Sequence, residues 1–310
     1  MANIEIMAVL ACLVAVGFVA GKLGYMGGEF DKRLSNLVID ITCPALILSS
    51  TMTGTLPDRQ YILPLLSISL LTYLLLAAAA LILPRYIASR PEDEGIVGFA
   101  LMFGNVGFIG YPVVASVFGP EAVFYAAVLN VVNTFAVFTV GTWLLTSRQP
   151  DKGGVGESGF RPQVLYSSPM IAAYLAMIIV AFRIDCVPYI ISQPLTMIGN
   201  ITVPAALLII GSSMSQLSGR TIRGNRTVYL TTVFRLGLLP LGIYALTKTL
   251  GFSPTVVNIN TVVIAMPVAT YGTILCLKLG HDTTLITETT FITTLLAVIT
   301  IPLLATLFNG

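Results

Sequence analysis

The feature that most constrains this chain is a succession of apolar runs, each long enough to cross a bilayer. A transmembrane helix needs about 20 mostly apolar residues. Such runs fall at about 4–23, 34–53, 61–84, 95–117, 121–146, 164–182, 188–217, 227–250, 256–278 and 283–308. Hydrocarbon offers no water to backbone N–H and C=O groups, so a spanning segment is driven into an α-helix. The expected class is therefore all-α integral membrane, with ten transmembrane helices. Composition agrees: 56% of residues are hydrophobic and 10% charged, against about 25% charged in soluble domains. A net charge of +2 gives no electrostatic case for nucleic acid; the expected surroundings are the lipid bilayer. The first run has no basic leader and exceeds the 7–15 residues of a signal-peptide core, so it reads as a retained helix.

The connections are short, and the longest, at 147–163, is a polar, glycine-rich linker. It divides the chain into 1–146 and 164–310, each with five runs. Basic residues set orientation, because cytoplasmic loops are enriched in Lys and Arg. Loops after odd-numbered runs carry twelve of them, including Lys32, Arg33, Arg90 and Arg223, while the opposite face carries only Arg59, Arg183 and Lys248. This predicts an inner-membrane, multi-pass protein with both termini on the extracytoplasmic side.

The second and seventh runs contain "DITCPALIL" (40–48) and "NITVPAALL" (200–208). Ile, Thr, Pro, Ala and Leu recur at a constant offset of 160, which also carries Tyr111 onto Tyr271. The same offset joins "GNVGFIGYP" (104–112) to "IAMPVATYG" (264–272), the two spans that hold helix breakers. With five spans per half, the second half enters the membrane from the other side. That is an inverted repeat, common among secondary transporters.

Unpaired backbone in lipid costs several kcal/mol per group, so a broken helix occurs only where protein or water satisfies it. Gly104, Gly107 and Gly110 allow close approach or unusual φ. Pro112 removes a donor and disfavours helix at Tyr111. A single such helix is most simply a packing kink. A pair at corresponding positions points instead to two helices, the fourth and ninth, that unwind and cross at mid-membrane. The half-helix N-termini would then offer positive dipole ends to an anion, and the C-termini would favour a cation.

The stretches "GNVGFIGYPVV", "MPVATYG" and "LGHDTTLITETTFITTLLAVITIPLL" resemble the auxin efflux carrier family in its short bacterial form, over essentially the whole chain. The resemblance implies a crossover-helix fold shared with bile-acid symporters and sodium/proton antiporters, a homodimer and an elevator mechanism. Helices 1, 2, 6 and 7 would form the scaffold, and 3–5 and 8–10 the moving transport domain. It also implies a substrate site lined by Asn105 through Pro112, including Gly107, Gly110 and Tyr111, with Pro267, Ala269, Thr270 and Tyr271 opposite. Substrates of the family are organic carboxylates: auxin in plants, malate- or malonate-like acids in bacteria. This chain lacks the long central loop of many plant carriers, and Ala269-Thr270-Tyr271-Gly272 stands where those are bulkier and charged. Auxin is therefore not the expected substrate.

Intramembrane charges default to functional candidates. Arg235 is placed to neutralise a substrate carboxylate, to pair with Asp40 or Glu288, or to reach the headgroups. Glu288 is the stronger proton-coupling candidate, with Asp40 the second; a cavity-rim position is the alternative for Glu288. Asn130 and Asn133, spaced i, i+3, share a helix face and either line the cavity or bond a neighbouring helix. Tyr111 and Tyr271 either wall the site or fill space.

No metal or cofactor is expected. Cys12, Cys43, Cys186 and Cys276 are scattered, and His281 is the single histidine. "GVGESG" (154–159) lacks the preceding strand that a dinucleotide loop requires. The Asn200 and Asn225 glycosylation patterns fall within a span and on the cytoplasmic side. The reading is a secondary transporter of small organic anions. The same-fold rival is a sodium- or proton-coupled symporter for another anion such as a bile-acid-like molecule. A rival of another class is a membrane sensor, which would carry a signalling domain. An enzyme would need a catalytic set, and none can be assembled.

Overall fold

A computed structural model describes residues 2–52, 57–146, 166–184, 187–215, 226–279 and 282–306. The linker at 147–163 with its "GVGESG", Cys186, Asn225 and His281 lie outside the described residues. Within the described residues the chain is helical, and its one β-type pairing is an isolated antiparallel bridge between Gly104 and Val268. Among the described residues five helices are long and apolar enough to cross a membrane: Arg59–Ile82, Ala122–Thr146, Tyr189–Ser215, Arg226–Thr249 and Thr284–Leu304. Shorter apolar helices run over Cys12–Lys22, Val106–Phe118, Ser168–Ala181 and Pro254–Ile264. Leu63, Leu70, Leu74, Ile299 and Leu303 stand exposed on the outside of the bundle, as side chains facing lipid would.

Proline shapes several of these helices without ending them. The π turns Val38–Thr42, Val106–Gly110 and Phe234–Leu238 each finish two residues before a proline: Pro44, Pro112 and Pro240. Proline lacks an N–H, and its ring collides with the carbonyl four residues back. Widening the preceding turn to i→i+5 gives the ring room and keeps the helix running. This corrects the expectation at Tyr111, whose φ of −61° and ψ of −48° are helical. Helix resumes at Val106, and the interruption narrows to residues 103–105. The second interruption, at 265–270, is longer and has no π turn.

Close helix approach is set by small residues. Gly17 lies against the backbone of Leu208, and Gly211 against that of Val14 and Phe18, so a Cβ at either would overlap main chain. The 2–22 and 202–215 helices therefore pack backbone to backbone, as small-residue motifs permit in membranes. Beside them the hydroxyl of Thr202 donates to that of Thr42 at 2.9 Å. These threonines occupy matching positions of the two repeated motifs.

Candidate functional site

The site is built where the two interruptions meet. Phe103 ends the 94–102 helix in an extended conformation, φ −111° and ψ 121°. Two backbone bonds tie the strands that cross there. The Asn105 N–H donates to the Pro267 carbonyl at 2.8 Å, and the Ala269 N–H to the Phe103 carbonyl at 3.1 Å. Each interruption thus satisfies backbone groups of the other, as a break at membrane depth requires. The Asn105 side chain closes the corner. Its Oδ1 accepts from the Phe108 N–H at 3.3 Å, and its Nδ2 reaches Thr270 Oγ1 at 3.5 Å. The Val268 N–H donates to Thr293 Oγ1 at 3.1 Å, from the 284–306 helix. Helices 106–118 and 271–278 both start at this crossing, so two positive dipole ends converge on it.

A cavity of about 410 Å³ lies against the crossing. Gly104 and Asn105 line it from the first interruption with Gly107 from the π turn that follows, and Ala269 and Thr270 line it from the second with Tyr271 from the helix that follows. Asn130 and Asn133 line it from the 122–146 helix. Their amides are held in order: Tyr73 OH donates to Asn133 Oδ1 at 2.8 Å, and Asn133 Nδ2 donates to Asn130 Oδ1 at 2.8 Å. That chain holds the two amides in one orientation at the cavity wall. Ile39, Cys43, Phe138 and Met170 supply apolar wall, and among the described residues the lining carries no Asp, Glu, Lys or Arg. Amides, a hydroxyl and helix N-termini beside apolar surface can hold a small carboxylate and its hydrocarbon part without a full positive charge at the wall.

The remaining sequence candidates are placed elsewhere. Gly110, Tyr111 and Pro112 are buried and do not line the cavity; Tyr111 sits behind it, within reach of Asn130. Pro267 lines a different, apolar crevice of about 50 Å³, together with Val14, Ile109, Val113 and Leu207. Arg235 is buried and bonded to backbone: Nε donates to the Met266 carbonyl at 3.1 Å, Nη1 to those of Leu101 at 3.0 Å and Met102 at 3.4 Å. Among the described residues Arg235 bonds backbone carbonyls and is not seen paired with Asp40 or Glu288. Asp40 is exposed on its π turn and Glu288 is half-buried. The described residues hold no group of three His, Cys, Asp or Glu placed for a metal.

Tyr73 and Thr293 escape a reading by sequence. A tyrosine among leucines and a threonine among six in "TLITETTFITT" carry no local mark of what they bond. The hint available was negative: an extended segment must find acceptors for its N–H groups, and a hydroxyl-rich neighbour provides them.

Comparison with known proteins gives this arrangement its class. The chain matches the family described as membrane transport protein over residues 2–159 and 163–305. It belongs to that family, the one to which the likeness to auxin efflux carriers pointed, and so stands among multi-pass membrane transporters rather than enzymes. An "Uncharacterized transporter" of Methanocaldococcus jannaschii is 27% identical over 311 residues, 98% of each chain. One of Methanothermobacter thermautotrophicus is 27% identical over 309 residues, 98% of this chain and 97% of the other. A protein of Rhizobium meliloti named "Putative malonate transporter" is 23% identical over 295 residues, 93% of this chain and 90% of its own.

Proposed function

We propose that the protein is a secondary transporter of small organic carboxylates that works by an elevator-type movement. The observation that carries this is the cavity at the crossing, where Asn105, Thr270 and two helix N-termini meet the Asn130–Asn133 pair. The name of the Rhizobium relative supports a dicarboxylate the size of malonate as the first to try. The cavity lining reaches Ser167 and Met170, at the start of the helix that follows the basic linker. With that linker in the cytoplasm, the conformation is inward-facing and both termini lie outside. The apolar crevice between Val14, Leu207 and Ile210 on one side and Ile109, Val113 and Ala297 on the other supports a sliding surface between scaffold and transport domain. In this reading the ten spans form two inverted five-helix repeats, the chain pairs as a homodimer, and the 160-residue spacing of the bonded Thr42 and Thr202 supports a two-fold axis between halves. Half-buried Glu288 is the residue proposed to take up a proton, with Asp40 second.

Uptake of labelled mono- and dicarboxylates into proteoliposomes, with and without pH and sodium gradients, tests the reading. Saturable flux of at least one carboxylate is expected. A folded, reconstituted protein that moves none of them would overturn it.

A further inference from the structure

We propose that Arg235 is a tethered cation, filling for good the position at the crossing where a dissociable cation would otherwise bind. The 94–102 and 254–264 helices both end at the crossing, so their negative dipole ends and unpaired terminal carbonyls converge there. In secondary transporters with broken helices, such ends and unwound carbonyls are what coordinate sodium or a proton. Here they are occupied. Leu101 and Met102 from one helix end and Met266 from just past the other accept the guanidinium N–H groups. The side chain comes from a third helix, at the π turn Phe234–Leu238, and is 1% exposed. A guanidinium has five N–H donors in a rigid fork, enough to serve two helix ends at once.

Gly104 is what lets it fit. A Cβ at that position would overlap Arg235 Nη2. Gly104 also lines the cavity, so one glycine separates the fixed charge from the proposed substrate. Arg235 is thus a positioning residue: it neutralises two helix ends and pins the crossing, and it biases the cavity toward anions without touching them. Unlike sodium it cannot dissociate, so the crossing holds its charge at every step of the cycle.

The flux arms of the test rest on the proposed carboxylate transport; the stability arms do not. Wild-type uptake of malonate is expected to be the same in sodium and in choline media, and a requirement for sodium would overturn the proposal. Arg235→Ala is expected to cut uptake about tenfold or more and to lower the thermal midpoint of the purified protein. Millimolar guanidinium should raise that midpoint where urea, its neutral analogue, does not. Equal effects of the two, or no loss in the variant, would overturn the proposal. If Arg235→Ala is recovered only when purified with guanidinium, the proposal gains; recovery with urea alike, or with neither, counts against it. Gly104→Ala keeps the charge but displaces it, and an unchanged midpoint and flux there would also overturn the proposal. Should wild type move no carboxylate, the transport reading fails while the midpoints still decide the role of Arg235.

Discussion

In the first interruption only residues 103–105 leave the helix, and a π turn restores it at once; in the second, residues 265–270 stay out until Tyr271. The offset of 160 places Ala265 where the first has Asn105, so the side-chain amide at the crossing comes from one half alone. The two tyrosines it matches have parted as well. Tyr111 is 1% exposed behind the cavity, whereas Tyr271 is 38% exposed on its wall, edge-on to Phe138 at 5.3 Å between ring centres. The recurring sequence motifs mark where the helices break. What each break offers a ligand depends on the few residues that have diverged.

That difference can be broken by matched substitutions, beginning with the largest expected effect. Tyr111→Ala empties a buried site and should destabilise the protein by about 3–5 kcal/mol, as large aromatic truncations do; a thermal melt reads it. Tyr271→Ala should leave the melt nearly unchanged and raise the apparent KM for uptake. If the two variants behave alike, the division between the tyrosines is wrong. Thr293→Val keeps the volume but removes the acceptor for the Val268 N–H, at a cost of about 1–3 kcal/mol. Loss of substrate affinity with it would show that the second interruption must be held for the site to work. Gly107→Ala should be the mildest, because a Cβ there meets nothing within 4 Å. It should change KM a few-fold with no shift in the melt, whereas a folding defect would mean that the cavity is smaller than it looks.

Much of this geometry is legible in the residues. Glycine, asparagine and proline clustered within one apolar run mark a place where a helix can be interrupted, and their recurrence after 160 residues ties two distant segments together. Other parts carry no such mark. Pro112 points to a break at Tyr111, yet a π turn absorbs the missing N–H and the clash, and the chain leaves the helix six to eight residues earlier, at 103–105. As a charge within an apolar run, Arg235 points in sequence to a carboxylate partner. Its actual partners are backbone carbonyls, which every residue has, and only the meeting of two helix ends makes them special. Asn130 and Asn133 were visible as a polar pair, but the tyrosine that orders them lies 60 residues from Asn133.

In the proposed carboxylate site the two interruptions act as one unit with Asn105 at its corner. Calorimetric titration of malonate and related carboxylates into purified wild type and Asn105→Ala tests it most directly. Saturable binding in wild type, weakened about tenfold or more in a variant that melts like wild type, is the expected result. Equal affinity in the two proteins would contradict it.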